Sequence, residues 1–179
     1  PLLWIANWYG TPIKEKISGS DLFPLLCNMA AAKGYKMFFL GAAEGVAKRA
    51  AENLTMKYKG LQVVGTYSPP FGFENNKNEM DKIKNMIKAS KPDILIVGLG
   101  CPKQEKFMYH HCKELGVPIS LGLGASFDFE AGNIKRAPRW MANHGLEWLF
   151  RITQDPRRMA KRYLVNDRKI LGLAIKYRQ

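Results

Sequence analysis

The chain has 179 residues, 46% hydrophobic and 24% charged, a globular composition that excludes a disordered chain, a collagen-like repeat and a disulfide miniprotein. Its 28 Lys and Arg against 15 Asp and Glu leave a net charge of +13, which points to anionic partners such as phosphates, nucleic acid or an acidic membrane surface. Cys27, Cys101 and Cys112 are odd in number and unpatterned, the usage of reduced thiols in a cytoplasmic protein, and no apolar run approaches the roughly 20 residues that span a bilayer.

Residues 1–9 are apolar and read as a helix ending at Gly10-Thr11-Pro12. The chain opens on Pro1 without a signal-peptide layout, so an incomplete N-terminus is expected. Ser18-Gly19-Ser20-Asp21 offers N-capping side chains to a helix over 21–33, and Gly34 closes it. Met37 to Leu40 is a strand, followed by Gly41-Ala42-Ala43-Glu44-Gly45. The next helix spaces Val46, Ala47, Ala50, Ala51 and Leu54 along one face. Leu61 to Val64 reads as a strand, 67–73 as a loop, 78–89 as a helix and Asp93 to Val97 as a buried strand. A helix runs from Pro102 to near Gly116, and Val117 to Leu123 is a last strand. This alternation predicts an α/β, Rossmann-like parallel sheet with helices on both faces.

After Gly132 no strand is discernible, and residues 137–178 read as two or three helices with a joint at Asp155-Pro156. The charge shifts there too. Residues 1–134 hold 16 basic and 12 acidic side chains, a net of +4, whereas 135–179 hold 12 and 3, a net of +9. The expected division is an α/β core, 1–134, and a basic helical appendage, 135–179.

In a parallel α/β sheet, ligands bind at the carboxyl ends of the strands, where loops lead into helices. Three loops here suit that role. The first, at Gly41, is small and lets a phosphate or sugar approach the backbone, but lacks the Lys-Ser/Thr ending of a P-loop. The second, through Gly98, Gly100 and Lys103-Gln104-Glu105, starts like a dinucleotide fingerprint, yet Lys103 stands where the third glycine belongs. That substitution argues against a nicotinamide enzyme. The third loop, 122–132, sets Asp128 between two aromatics, a costly place for a carboxylate without a partner. Asp128 and Glu130 also resemble a metal-binding acidic pair, but so short a triplet assigns no metal, and His110-His111-Cys112 has helical rather than zinc spacing. In the appendage, Arg151, Arg158 and Arg162 alternate with apolar residues. Such a face grips diphosphates or an anionic membrane surface, while no nucleic-acid-reading motif is present.

Together, Ser18-Gly19-Ser20-Asp21-Leu22, Phe39-Leu40-Gly41, 98–105, 124–129 and the stretch from Arg136-Ala137-Pro138 to Pro156-Arg157-Arg158 resemble the WecG/TagA/CpsF family of bacterial glycosyltransferases, in order and over nearly the whole chain. The resemblance implies transfer, with inversion, of an N-acetylmannosamine-like sugar from a UDP-sugar to a polyprenyl-diphosphate-linked acceptor. The setting it implies is cell-surface polysaccharide or teichoic acid synthesis, at the cytoplasmic face of the cell membrane. It places Gln104 and Asp128 in the sugar-nucleotide pocket, with Arg151 and Arg158 closing over it towards diphosphate. Gly41, Gly100, Lys103 and Glu105, in the loops at the strand ends, are further expected substrate contacts, and Arg162, on the basic face, is expected at the lipid diphosphate. No cofactor is expected, and a homo-oligomer is compatible with the sequence. The resemblance also implies a catalytic aspartate upstream of Pro1, and where members often carry Arg this chain has Lys16. The competing expectation is a non-enzymatic basic module that binds membrane surfaces.

Overall fold

A computed structural model describes residues 2–14, 17–138, 140–141, 144, 146–156 and 172. Residues 17–134 form one compact unit, and residues 1–16 group with 135–179 as a second.

The larger unit is a four-stranded parallel sheet in the order β2-β1-β3-β4, with β1 Lys36–Gly41, β2 Gln62–Tyr67, β3 Ile94–Gly98 and β4 Ile119–Gly122. Consecutive strands are joined by α3 (Val46–Lys57), α4 (Lys77–Ser90) and α5 (Lys103–Leu115), while α2 (Gly19–Lys33) precedes β1 and the short α6 (Ser126–Glu130) follows β4. The central strands have continuous apolar runs because both their faces are covered. On one face Met37, Phe39, Ile94 and Ile96 pack with Phe23 and Cys27 of α2, the alanine stripe of α3, and Phe127 of α6. On the other, Phe38, Leu40, Leu95 and Val97 meet Ile83 and Ile87 of α4 and Phe107 and Leu115 of α5. The period of two in each strand sorts its side chains between these layers.

Local chemistry sets the element ends. Ser18 caps α2 by accepting from the Asp21 N–H, and Gly34 ends it in the left-handed conformation. β2 runs to Tyr67, beyond the expected strand, and its pairing with β1 slips between Met37 and Phe38. There Gly65 faces Phe38, and a methyl group on Gly65 would stand 2.4 Å from that ring. At the far end of β2 the Tyr67 hydroxyl donates to Glu79, while Lys82 Nζ donates to it at 2.7 Å, fastening the strand to α4.

One expectation is corrected. Residues 122–132 are not all loop, because Ser126–Glu130 form a helical turn that buries Phe127 completely. Phe127 stacks edge-on against Phe23 at 5.4 Å and is tilted on Phe39 at 5.4 Å. That packing fixes a turn too short to show a helical period. In the second unit, α1 spans Leu2–Trp8 and α7 Glu147–Gln154. Pro156 is helical, and beyond it the expected appendage, residue 172 apart, lies outside the described residues.

Two outcomes follow from this packing. Burial, reinforced by the nearby Glu130 charge, pushes the Cys27 thiol up to about 12, whereas Cys101 and Cys112 are exposed. Native protein at pH 8 should therefore take up iodoacetamide at two thiols and denatured protein at three, read by mass spectrometry. Between α4 and α5, hydrogen bonds from Lys84, at 2.9 Å, and Lys88, at 3.2 Å, hold the Glu114 carboxyl down to about 2. A carboxylate lowered on folding stabilises above its unfolded value and loses that contribution as pH falls through the folded one. Glu114→Gln should accordingly flatten the loss of stability between the normal carboxylate range and pH 2, followed by urea unfolding at successive pH values.

Candidate functional site at the strand ends

The order β2-β1-β3-β4 reverses direction between β1 and β3, the topological position where ligand crevices form. The chain exaggerates that crevice. Gly41 ends β1 at φ +112, and a methyl group there would stand 2.5 Å from the Gly98 carbonyl at the end of β3. The two backbones approach side by side, and the Ala42 N–H donates to Gly98 O at 2.8 Å. Beyond this contact the β1 loop turns outward through Ala42, a non-glycine residue at φ 60. Its fold is braced by Ser68, the first residue after β2, whose hydroxyl lies 3.0 Å from Gly41 O and 3.1 Å from Ala43 O. Gly45 then opens α3 without any side-chain cap.

The loops after β1, β2 and β3 line an open cavity of about 650 Å³, bordered by Ala42, Ala43, Gly98, Ser68, Phe71 and Lys103. The size suits a nucleotide-sized ligand. Phe71 is 100% exposed, and the Lys103 ammonium sits 4.7 Å above its ring. Lys103 also pairs with Glu74, and its hydrogen bond holds that carboxyl below the usual range. The β2–α4 loop is thereby strapped to the start of α5 at the cavity rim.

The second polar point lies beside β4. Gln104 is only 7% exposed, its Nε2 donating to Glu105 Oε1 at 2.9 Å. Among the described residues its buried Oε1 has no hydrogen-bond partner, an acceptor costing roughly 1–3 kcal/mol if left unmet. Asp128 stands on α6, where its carboxylate accepts from Asn133 Nδ2 at 3.3 Å and its carbonyl from the Asn133 N–H at 2.9 Å.

Of the residues singled out in the sequence, Gly41 shapes the crevice and Lys103 lines the cavity, while Gly100 forms the turn into α5 at φ +80. Gln104, Glu105 and Asp128 do not line it. Gln104 faces inward, Glu105 is exposed and holds the Gln104 amide, and Asp128 belongs to α6. Arg151 is on α7, bonded to Glu147 one turn earlier at 2.8 Å, and Arg158 and Arg162 lie outside the described residues. No group of three or more His, Cys, Asp and Glu that could hold a metal ion occurs among the described residues, and no described helix is long and apolar enough to cross a membrane.

Sequence reasoning missed Ser68, Phe71 and Glu74. An apolar letter in a loop does not announce its exposure, but Pro69-Pro70 and Gly72 flagged the loop that presents it. The inward turn of Gln104 did have a signal. With Phe107, Met108, His111 and Leu115 it completes one helical stripe.

A model described as the glycosyl transferase WecG/TagA/CpsF family matches residues 1–179. The chain is 34% identical over 157 residues to an N-acetylglucosaminyldiphosphoundecaprenol N-acetyl-beta-D-mannosaminyltransferase of Bacillus spizizenii, covering 88% of this chain and 59% of that protein. A protein of the same name from Bacillus subtilis is 34% identical over 144 residues, 80% of this chain and 54% of its own length. One from Staphylococcus aureus is 29% identical over 150 residues, 84% and 57%. The chain thus spans somewhat over half the length of these curated relatives.

Removing the strap should loosen the rim without unfolding the sheet. Lys103→Ala is expected to speed amide hydrogen exchange across residues 71–76 while leaving β1 and β3 as protected as in the parent protein.

Proposed function

This chain belongs to the WecG/TagA/CpsF family of glycosyl transferases, and we propose that its protein moves an N-acetylmannosamine-like residue from a UDP-sugar to a polyprenyl-diphosphate-linked N-acetylglucosamine. The observation that carries the reading is the cavity at the β1–β3 switch point, with glycine-thin strand ends beneath and Lys103 at its rim. Backbone approach of this kind suits a diphosphate, which meets N–H groups and a point charge without a side chain intervening.

Glycosyl transfer needs an oxygen nucleophile freed of its proton and a diphosphate leaving group relieved of developing charge. The second requirement is the one these residues suit. The loop at Ala42–Gly45, the turn at Gly100 and Lys103 are proposed to receive the donor diphosphate, with Gln104 and Asp128 towards its sugar. No described residue is assigned as the base. Attack from the face opposite departing UDP would invert the anomeric carbon, as the family resemblance suggests.

The basic residues of 135–179 are proposed to serve the acceptor. Nine of the chain's thirteen surplus charges fall there, and fork-shaped guanidiniums match a diphosphate better than ammonium groups do. Peripheral attachment to the inner membrane face fits that charge and a lipid-linked acceptor.

Two measurements test the proposal together. Titration should show UDP binding, weakened by Lys103→Ala, and no binding of NAD. In the complete protein, supplied with UDP-N-acetylmannosamine and an N-acetylglucosaminyl-diphospholipid, Arg158→Ala should lower turnover roughly tenfold or more with thermal unfolding unchanged. Wild-type turnover in that variant would remove Arg158 from the acceptor site, and NAD binding in place of UDP would overturn the donor assignment.

A further inference from the structure

We infer that Gly122, the last residue of β4, is a positioning residue for Gln104, a statement that rests on the placing of Gln104 against the donor sugar. A methyl group at Gly122 would stand 2.9 Å from Gln104 Nε2 and 3.1 Å from its Cδ, with Met108 Cε also at 3.1 Å. Unlike Gly41, Gly100 and Gly124, Gly122 does not occupy the left-handed region. Any residue could adopt its backbone. What the position demands is room.

That room is taken by an amide whose orientation is already set. Gln104 Nε2 donates to Glu105 Oε1 at 2.9 Å, which leaves Oε1 as the inward atom, buried and unpartnered among the described residues. On that side Gly124 again leaves space, a methyl group there reaching 3.7 Å from Oε1. The amide is therefore flanked by two glycines, one beside each of its polar atoms. Its nitrogen is committed to Glu105 and its oxygen is offered to a donor, such as a sugar hydroxyl or an amide N–H. Added bulk at Gly122 cannot be absorbed by Met108 alone, because the nearer contact is the amide nitrogen. Alanine there must displace the end of the Gln104 side chain, moving the amide nitrogen against its bond to Glu105 and shifting the acceptor oxygen with it.

The test is a double-mutant cycle in the complete protein, again with UDP-N-acetylmannosamine and an N-acetylglucosaminyl-diphospholipid. Gln104→Ala and Gly122→Ala are each expected to lower kcat/KM by roughly tenfold to a hundredfold. The double variant should be no worse than Gln104→Ala alone, since the methyl group then has no amide to displace. A merely structural glycine would give losses that multiply, and that result overturns the inference. So does wild-type turnover in Gly122→Ala beside an impaired Gln104→Ala. Wild-type turnover in Gln104→Ala would instead remove Gln104 from the sugar site, and the role of Gly122 with it. If Gly122→Ala does not fold, the double variant must fold, because the closest clash, at 2.9 Å, is with the Gln104 side chain and the Met108 methyl group can give way. Failure of both overturns the inference.

Discussion

The arrangement at the carboxyl end of this sheet depends on one close contact, the backbone of Gly41 against that of Gly98. Neighbouring parallel strands ordinarily carry side chains to their ends, and those side chains fill the switch point. Here a methyl group on Gly41 would lie 2.5 Å from the neighbouring carbonyl, so the strands finish bare and their loops leave in different directions. The β1 loop bends through Ala42 and is braced by Ser68, while the β3 loop passes through Gly100 into α5. The cavity is the space between those departures. A larger residue at 41 would oppose the strand pairing itself.

The first turn of α5 divides its labour by direction. Lys103 points to the cavity rim, where Glu74 and the Phe71 ring steady its ammonium group. Gln104, about 100° further round the helix, points into the protein beside β4. Glu105 turns outward again, yet its carboxylate reaches back to the Gln104 amide. Three consecutive polar letters thus serve a rim, an interior and a bracket. The arrangement connects the β1–β3 crevice to the loop after β4 without a long-range network.

The sheet was legible because its central strands carry apolar letters on both faces. Met37–Leu40 and Ile94–Val97 allow no exposed side, and the helices between them keep a helical period, as the buried stripe from Val46 to Leu54 shows. Short or compensated features were not legible. α6 is five residues long and owes its place to Phe127 packing on Phe23 and Phe39. The slip beside Gly65 answers the bulk of Phe38 on another strand, which no local pattern encodes. At the site, glycines and polar first-turn residues marked the loops after β1 and β3 that line the cavity, whereas the lining loop after β2 reads only as a connection and the loop after β4, though marked, does not line it. Which side chain faces which way came from tertiary contacts: Phe71 outward, Gln104 inward, and Glu74 on Lys103.

The strand order also bears on how the protein emerges from the ribosome. β1 is flanked by β2 and β3, and its Lys36 N–H is received by the Asp93 carboxylate at 2.8 Å, 57 residues downstream. At synthesis rates of about 5–20 residues per second, that stretch takes roughly 3–11 s to appear. Throughout the interval one edge of β1, with Phe38, Phe39 and Leu40 beside it, lacks its permanent neighbour. Until then it is an open strand edge, the kind of surface on which incompletely made chains aggregate.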